Sequence, residues 1–193
     1  IDADFICTGE NDELTIQKAV EKCIEENKNV MLLDGIYHVD DFHDYYNDNG
    51  PKSAICFPNA WREIQFYGQN SEYGFQKKYD NGVVIYVSEN ALNKISEETD
   101  IIRSFWTNAG IQNGSSLHIK NISVILANNQ HKLRCIDLRR TDRVELKNIT
   151  LVSYGDSIHE DSDYGLGTPP EIPAKGCIGL TMTDGSNNSY SNY

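Results

Sequence analysis

The sequence predicts an all-β fold, namely a single-stranded parallel β-helix with an N-terminal capping α-helix. Residues 117–124 are echoed by residues 144–151, and a Lys-Asn-Ile core recurs in both, at Asn121 and Asn148. Each copy is a β-branched, alternating run of the kind that forms a strand. A repeat of about 20 to 50 residues indicates a unit that buries its apolar face by stacking on copies of itself.

The asparagine of each repeat marks a bend between two strands. We expect Asn121 and Asn148 to stack, with side-chain amides that form hydrogen bonds along the axis of the solenoid. Both also lie in glycosylation sequons (Asn-Ile-Ser and Asn-Ile-Thr). The repeated position favours the ladder over glycosylation.

The N-terminal part predicts a first strand and then the cap. Residues 2–8 alternate as a strand does, and Gly9-Glu10 is a break. Asn11 or Asp12 then begins a helix that ends near Glu26-Asn27. Its apolar face is predicted to be Ile16, Ala19, Val20, Cys23 and Ile24, with Gln17, Lys18, Glu21, Lys22 and Glu25 opposite. Such a helix would cover the open end of the first coil.

Short strands separated by polar loops follow the helix. Strands are predicted at 29–33, 36–39, 54–57, 64–67, 83–87, 101–106, 117–119, 122–126, 135–138, 144–146 and 149–152. Residues 88–100 favour a short helix or an excursion from the coil. Residues 40–51 and 69–81 are predicted loops.

We expect one domain, residues 1–193, with a cap region at 1–30 and coils over 30–193. An Asp-, Gly- and Pro-rich insertion at 155–176 interrupts the repeat before a coil resumes at Cys177. No C-terminal cap is recognisable, so we expect the N-terminal part of a longer solenoid. Three of the five cysteines, Cys56, Cys135 and Cys177, share a similar context and predict a buried ladder of thiols, with a disulfide or a catalytic thiol as the alternatives.

Charge excludes two classes of partner. The formal net charge is -12, which argues against nucleic acid and anionic membrane because both need basic patches. No apolar run approaches the length of about 20 residues that spans a bilayer.

A family resemblance agrees with this fold. The N-terminal part of the chain resembles the opening of pectate lyase superfamily proteins. The residues that carry this resemblance are Asp4-Phe5, Gly9-Glu10-Asn11-Asp12, 16–20 and 30–37. That family comprises right-handed parallel β-helices, among them pectin-degrading lyases, family 28-type glycoside hydrolases and phage tailspikes. The resemblance implies a right-handed coil and an acidic polysaccharide as the partner. The polygalacturonase signatures are absent from this sequence, so no catalytic residue is carried over.

The insertion holds the first candidate site. Asp161, Asp163 and His159 are the catalytic candidates, because paired carboxylates serve glycoside hydrolysis. Asp156 and Glu160 are candidate metal ligands, because carboxylate oxygens suit calcium. The alternative is a solvated acidic loop.

Arginines form the second candidate site. Arg139, Arg140 and Arg143, with Tyr164 of the insertion, are the candidate substrate-binding residues, since a guanidinium binds a uronate carboxylate in bidentate fashion. The alternative is pairing of Arg134 and these arginines with the neighbouring carboxylates Asp137, Asp142 and Glu145. The Asp- and Tyr-rich segment 40–48 is a third cluster, which predicts either sugar contacts or a surface loop. Trp61 and Trp106 favour packing, with a sugar platform as the alternative if either is exposed.

These features predict a secreted or cell-surface protein, bacterial or from a phage, that binds or cleaves a uronate-containing polysaccharide as a lyase or a glycoside hydrolase. The alternative is a non-catalytic module that recognises glycans or builds an assembly. The oligomeric state is open: a monomer, or a trimer if the chain is tailspike-like. Calcium is the one cofactor suggested.

Overall fold

The computed structural model describes residues 3–70, 82–105, 113–128, 132–138, 141–153, 178–181 and 189–190. The described chain is mostly β, with parallel sheets that curl only partway and a helix near the N terminus. In order, the elements are α1 (Asp12–Glu25), β1 (Val30–Leu32), β2 (Gly35–Val39), β3 (Lys52–Phe57), β4 (Glu63–Gly68), β5 (Val83–Val87), α2 (Glu89–Asn93), β6 (Thr99–Ser104), β7 (Asn113–Leu126), β8 (Leu133–Asp137), β9 (Thr141–Ser153), β10 (Ile178–Thr181) and β11 (Ser189–Tyr190). No helix in these ranges is both long and apolar enough to cross a membrane.

The described strands form two parallel sheets. The long sheet has the order β1-β4-β7-β5-β2, with β9 on β7 and β11 on β9. The short sheet has the order β10-β8-β6-β3. Strand β7 pairs with β4 through its first half and with β5 through its second half, so the long sheet bends along its middle.

The repeat predicted at the Lys-Asn-Ile motifs is confirmed. Leu117 lies opposite Val144 and Ile122 opposite Ile149 in the parallel register of β7 and β9. Asn121 and Asn148 both have left-handed backbones, with φ of 58° and 51°. Asn148 Nδ2 donates to Asn121 Oδ1 at 3.0 Å, and Asn121 Nδ2 donates to the Gly68 carbonyl at 3.3 Å. The predicted asparagine ladder therefore exists, because asparagine tolerates this backbone and its amide both donates and accepts.

Alternation along the strands separates a core face from an outer face. Ile64, Phe66, Leu117 and Ile119 are buried, while their neighbours in sequence are partly or fully exposed. Phe66 of the long sheet contacts Phe57 of the short sheet edge to face at 5.2 Å. The two sheets therefore share one apolar core.

Helix α1 covers one end of this core, as predicted, and it also uses polar side chains to do so. Ile16, Val20 and Cys23 are buried, but so is Gln17, which the helical pattern assigns to the solvent face. The Gln17 side chain accepts from the Cys56 amide at 2.9 Å and donates to the Cys56 carbonyl at 3.1 Å. Gln17 therefore satisfies the backbone groups of Cys56 on β3, the edge strand of the short sheet.

The strand predicted at 2–8 is wrong over the described residues 3–8. The amides of Thr8 and Gly9 donate to the Asp12 carboxylate at 2.9 and 3.0 Å, so this segment folds back on α1. Asp12 also accepts from the His38 amide at 3.0 Å, which ties the start of α1 to β2. Asn11 precedes the helix in a left-handed conformation and makes no side-chain cap bond.

The predicted ladder of cysteines is also wrong for its described members. Cys56 lies opposite Arg103, and Arg103 lies opposite Asp137. Cys135 is two positions before Asp137, so Cys56 and Cys135 do not share a row, although both are buried. Cys177 lies outside the described residues. The predicted alignment of Cys135 with Cys177 would place Ile178 opposite Ile136. Ile178 lies instead opposite Arg134, two residues earlier on β8.

Candidate functional site

Most of the predicted site residues lie outside the described part of the chain. These are the catalytic candidates His159, Asp161 and Asp163, the metal candidates Asp156 and Glu160, and the substrate-binding candidates Arg139, Arg140 and Tyr164. Arg143 is the candidate that the structure describes. It is exposed on β9 and lies opposite Ser116 of β7.

Arg143 belongs to a row of polar side chains on the outer side of the long sheet. The register places three positions from each of β4, β7 and β9 side by side. We call this surface the polar face; its residues are Glu63, Gln65, Tyr67, Ser116, His118, Lys120, Arg143, Glu145 and Lys147. Three cationic side chains and two carboxylates lie here, in a protein whose net charge is -12. The polar face is thus more cationic than the rest of the molecule.

His118 and Glu145 form the centre of the polar face. His118 Nδ1 lies 3.0 Å from Glu145 Oε2 and 3.6 Å from Glu63 Oε1. Lys120 Nζ lies 3.1 Å from the same Glu145 oxygen. Because carboxylate oxygens only accept, Nδ1 of His118 is the donor in its contact with Glu145. Nε2 is shielded from solvent and makes no hydrogen bond within the described chain.

Electrostatics couple the two ends of the polar face. The pKa of Glu63 is lowered, first by the hydrogen bond from Gln65 Nε2 at 2.9 Å and then by the charge of His118. Lys120 and Arg143 lower it further. Glu63 is therefore ionised, and it is an acceptor beside three cationic groups.

Sequence reasoning missed His118, because a solitary histidine in a strand needs no role. A signal was present, because His118 and Glu145 occupy the same position in the two copies of the repeat. Parallel stacking of equivalent positions brings their side chains together.

A second group of charges is buried on the short sheet. Arg134 Nε donates to Asp100 Oδ1 at 2.6 Å, and its Nη1 lies 2.7 Å from Glu98 Oε2. Asp137 Oδ2 is 3.6 Å from the same Nε. Asp100, Arg134 and Asp137 are all buried, so this group cannot receive a polymer from solvent. For Arg134, pairing with carboxylates is therefore the correct alternative, with Asp100 as the main partner.

Burial gives this group a dependence on pH. Desolvation raises the pKa of Asp100 to about 6; the hydrogen bond from Arg134 opposes this shift, and the charge of Asp137 adds to it. A raised carboxyl pKa means that the folded state binds a proton before the unfolded state does. The contribution of protonated Asp100 to the stability of the folded state is therefore fully present below the unfolded-state pKa of 3.8, and it is lost as the pH rises through about 6.

We expect acidification from neutral pH to about pH 5 to stabilise the protein relative to an Asp100→Asn variant by about 1 kcal/mol, because asparagine does not titrate. Urea unfolding of both proteins across this pH range measures the difference. A constant difference would contradict the assignment. Asp41→Asn, at an exposed carboxylate, is the control: it retains Asp100, so the parent should not gain stability relative to this variant on acidification.

The cluster at 40–48 anchors a loop. Asp48 forms a two-point ion pair with Arg103, at 2.6 and 3.1 Å, and both side chains are fully buried. Tyr45 donates to the Ala54 carbonyl at 3.2 Å, and Asp41 lies 3.0 Å from Lys94 Nζ. These contacts hold the loop against β3, β6 and the end of α2, and they engage Asp41, Tyr45 and Asp48 within the fold.

Three of the described thiols, those of Cys7, Cys23 and Cys56, form no disulfide and stay protonated. Burial raises the pKa of Cys7 to about 12, and it also raises the pKa of Cys23 and Cys56. A thiolate nucleophile is thus not available at these three positions at neutral pH. Cys7 and Cys23 line a cavity of about 520 Å³ between residues 3–9, α1 and β1–β2.

Fold and site together define a mostly β, parallel-sheet protein with a mixed-charge polar face on its longer sheet. Comparison of the chain with protein-family models, with curated proteins and with solved structures found no match. Within the described ranges, no group of three or more His, Cys, Asp or Glu side chains is arranged to hold a metal ion.

Proposed function

We propose that the protein is a right-handed parallel β-helix of the pectate lyase type that binds or cleaves an acidic, uronate-containing polysaccharide on its polar face. A secreted or cell-surface location goes with such a substrate. The observation that carries the proposal is the grouping of Lys120, Arg143 and Lys147 on one face of a strongly acidic protein.

The spacing of these cations suits a polyanion. Lys120 and Lys147 are opposite each other on neighbouring strands, which lie about 4.8 Å apart in any sheet. Arg143 and Lys147 are exposed, so their charged groups are available to carboxylates. Outside the polar face, the excess of negative charge on the molecule would repel the same polymer.

We expect the double variant Arg143→Gln/Lys147→Gln to weaken polygalacturonate binding at least tenfold, because two charge-assisted contacts are removed. Calorimetric titration at low ionic strength measures the affinity, which should also fall with added salt. Lys18→Gln/Lys22→Gln removes the same charge from exposed positions on α1 and is the matched control. Equal affinities for the two double variants would contradict the proposal.

The reaction is tested separately from binding. Elimination would give an unsaturated uronate that absorbs in the ultraviolet, and hydrolysis would give reducing ends without that absorbance. Binding without either product would favour the alternative, a non-catalytic glycan-recognition module.

A further inference from the structure

Trp61 is an exception to the burial of large apolar side chains. It is 71% exposed, on the corner between β3 and β4. The sequence favoured packing for this residue, and the structure contradicts that expectation. Burying a tryptophan would contribute several kcal/mol, so an exposed one leaves that stabilisation unused.

The backbone of Trp61 is also strained. Its φ is 50°, in the left-handed region that bulky residues rarely adopt. Such a conformation costs on the order of 1–3 kcal/mol and persists where the surroundings impose it, often at binding sites.

Contacts on both sides impose this conformation. The Ala60 amide donates to Ser115 Oγ at 2.7 Å, and the Ser116 amide donates to the Arg62 carbonyl at 3.0 Å. The Arg62 guanidinium in turn donates to the Cys23 carbonyl at 3.0 Å, which ties the corner to α1. The indole is therefore presented from a fixed corner, which lowers the entropy cost of binding a ligand.

The position of Trp61 indicates what it contacts. It lies two residues before Glu63, and the bond between Arg62 and Ser116 sets it at the amino-terminal end of the polar face. The residues two positions to either side, Asn59 and Glu63, are polar, and Ser116 lies opposite Glu63. A partner with an apolar flat face and polar edges fits this setting better than an apolar protein surface does, and a sugar ring has that character.

We propose that Trp61 is a stacking platform for a pyranose ring, at the end of a glycan that lies along the polar face. This inference rests on the function proposed above and adds a residue that binds through the ring face and not through charge. The cations then select the acidic polymer, and the indole fixes where one of its sugars lies.

Intrinsic fluorescence tests the proposal in the full chain. Trp61 and Trp106 are the two tryptophans, so Trp106→Phe leaves Trp61 as the reporter. Adding a defined oligogalacturonate should change its emission with the same midpoint as binding measured by calorimetry. Trp61→Ala should weaken binding at least tenfold and Trp61→Phe less, while urea unfolding of both stays within about 0.5 kcal/mol of the parent, as at other surface positions.

The outcomes separate the two proposals. Suppose that Arg143→Gln/Lys147→Gln loses affinity, that Trp61→Ala binds as the parent does, and that the Trp61 emission of Trp106→Phe does not change on adding glycan. The stacking role is then wrong and the proposed function stands. If the parent binds no oligogalacturonate, both are wrong. If the Trp61 emission changes with protein concentration and not with added glycan, Trp61 is a contact between protein molecules, and the inference is wrong.

Discussion

Replacing Arg103 by methionine is expected to destabilise the protein by about 3–5 kcal/mol, because it leaves the buried Asp48 carboxylate without its guanidinium. Both side chains are fully shielded, and the pair joins the 40–51 loop to β6. Urea unfolding measures the loss. The same loop should become more sensitive to limited proteolysis, since its buried ion pair with β6 would be lost.

Two further variants make the Arg103 prediction specific. Asp48→Leu combined with Arg103→Met should recover most of the lost stability, because an apolar pair of similar volume replaces a buried ion pair at little cost. Lys22→Ala removes an exposed ion pair with Glu26 and should change stability far less than Arg103→Met does. A loss below about 1 kcal/mol for Arg103→Met would show that the buried pair does not support the loop.

Gly68→Ala should cost about 3 kcal/mol, through steric overlap where the asparagine ladder meets β4. A Cβ at this position would overlap the Asn121 carbonyl oxygen and lie 2.9 Å from Val83 Cγ2. The carbonyl belongs to the backbone, so the clash can be relieved only by moving β7. Thermal or urea unfolding of the variant measures the cost.

Gly9→Ala separates steric overlap from backbone strain. Gly9 has φ of 86°, and no atom lies within 4 Å of the place that an alanine methyl would take, so alanine there meets conformational cost alone. That cost is about 1–2 kcal/mol. If Gly68→Ala proved no more destabilising than Gly9→Ala, close packing between Gly68 and Asn121 would not be a constraint on the sheet.

The parts of the fold that sequence predicts best are those set by local periodicity. Alternating β-branched runs located β5 to the residue and most other described strands within a few residues, and the 3.6-residue period located α1. The two Lys-Asn-Ile motifs correctly predicted the pairing of β7 with β9. These signals are local because backbone hydrogen bonding and apolar burial follow the same period.

Polar residues that are buried by distant elements could not be predicted in this way. Gln17 has the pattern of a solvent-facing helix residue until β3 is placed beside it, 39 residues away in sequence. Arg103 and Asp48 have the pattern of surface charges, and Trp61 that of a core residue. In each case tertiary contacts determine exposure, so the polar face and the corner at Trp61 were visible only once the strands were in register.

The contacts of Gln17 have a consequence for self-assembly. An uncovered edge strand can recruit a strand from a second molecule and so nucleate an ordered fibre. At Cys56 that recruitment is blocked, because one side-chain amide already occupies both the donor and the acceptor that an incoming strand would use. The bridge between His43 and Ser53 occupies a second position of the same strand, so two of the six residues of β3 are closed to an incoming strand.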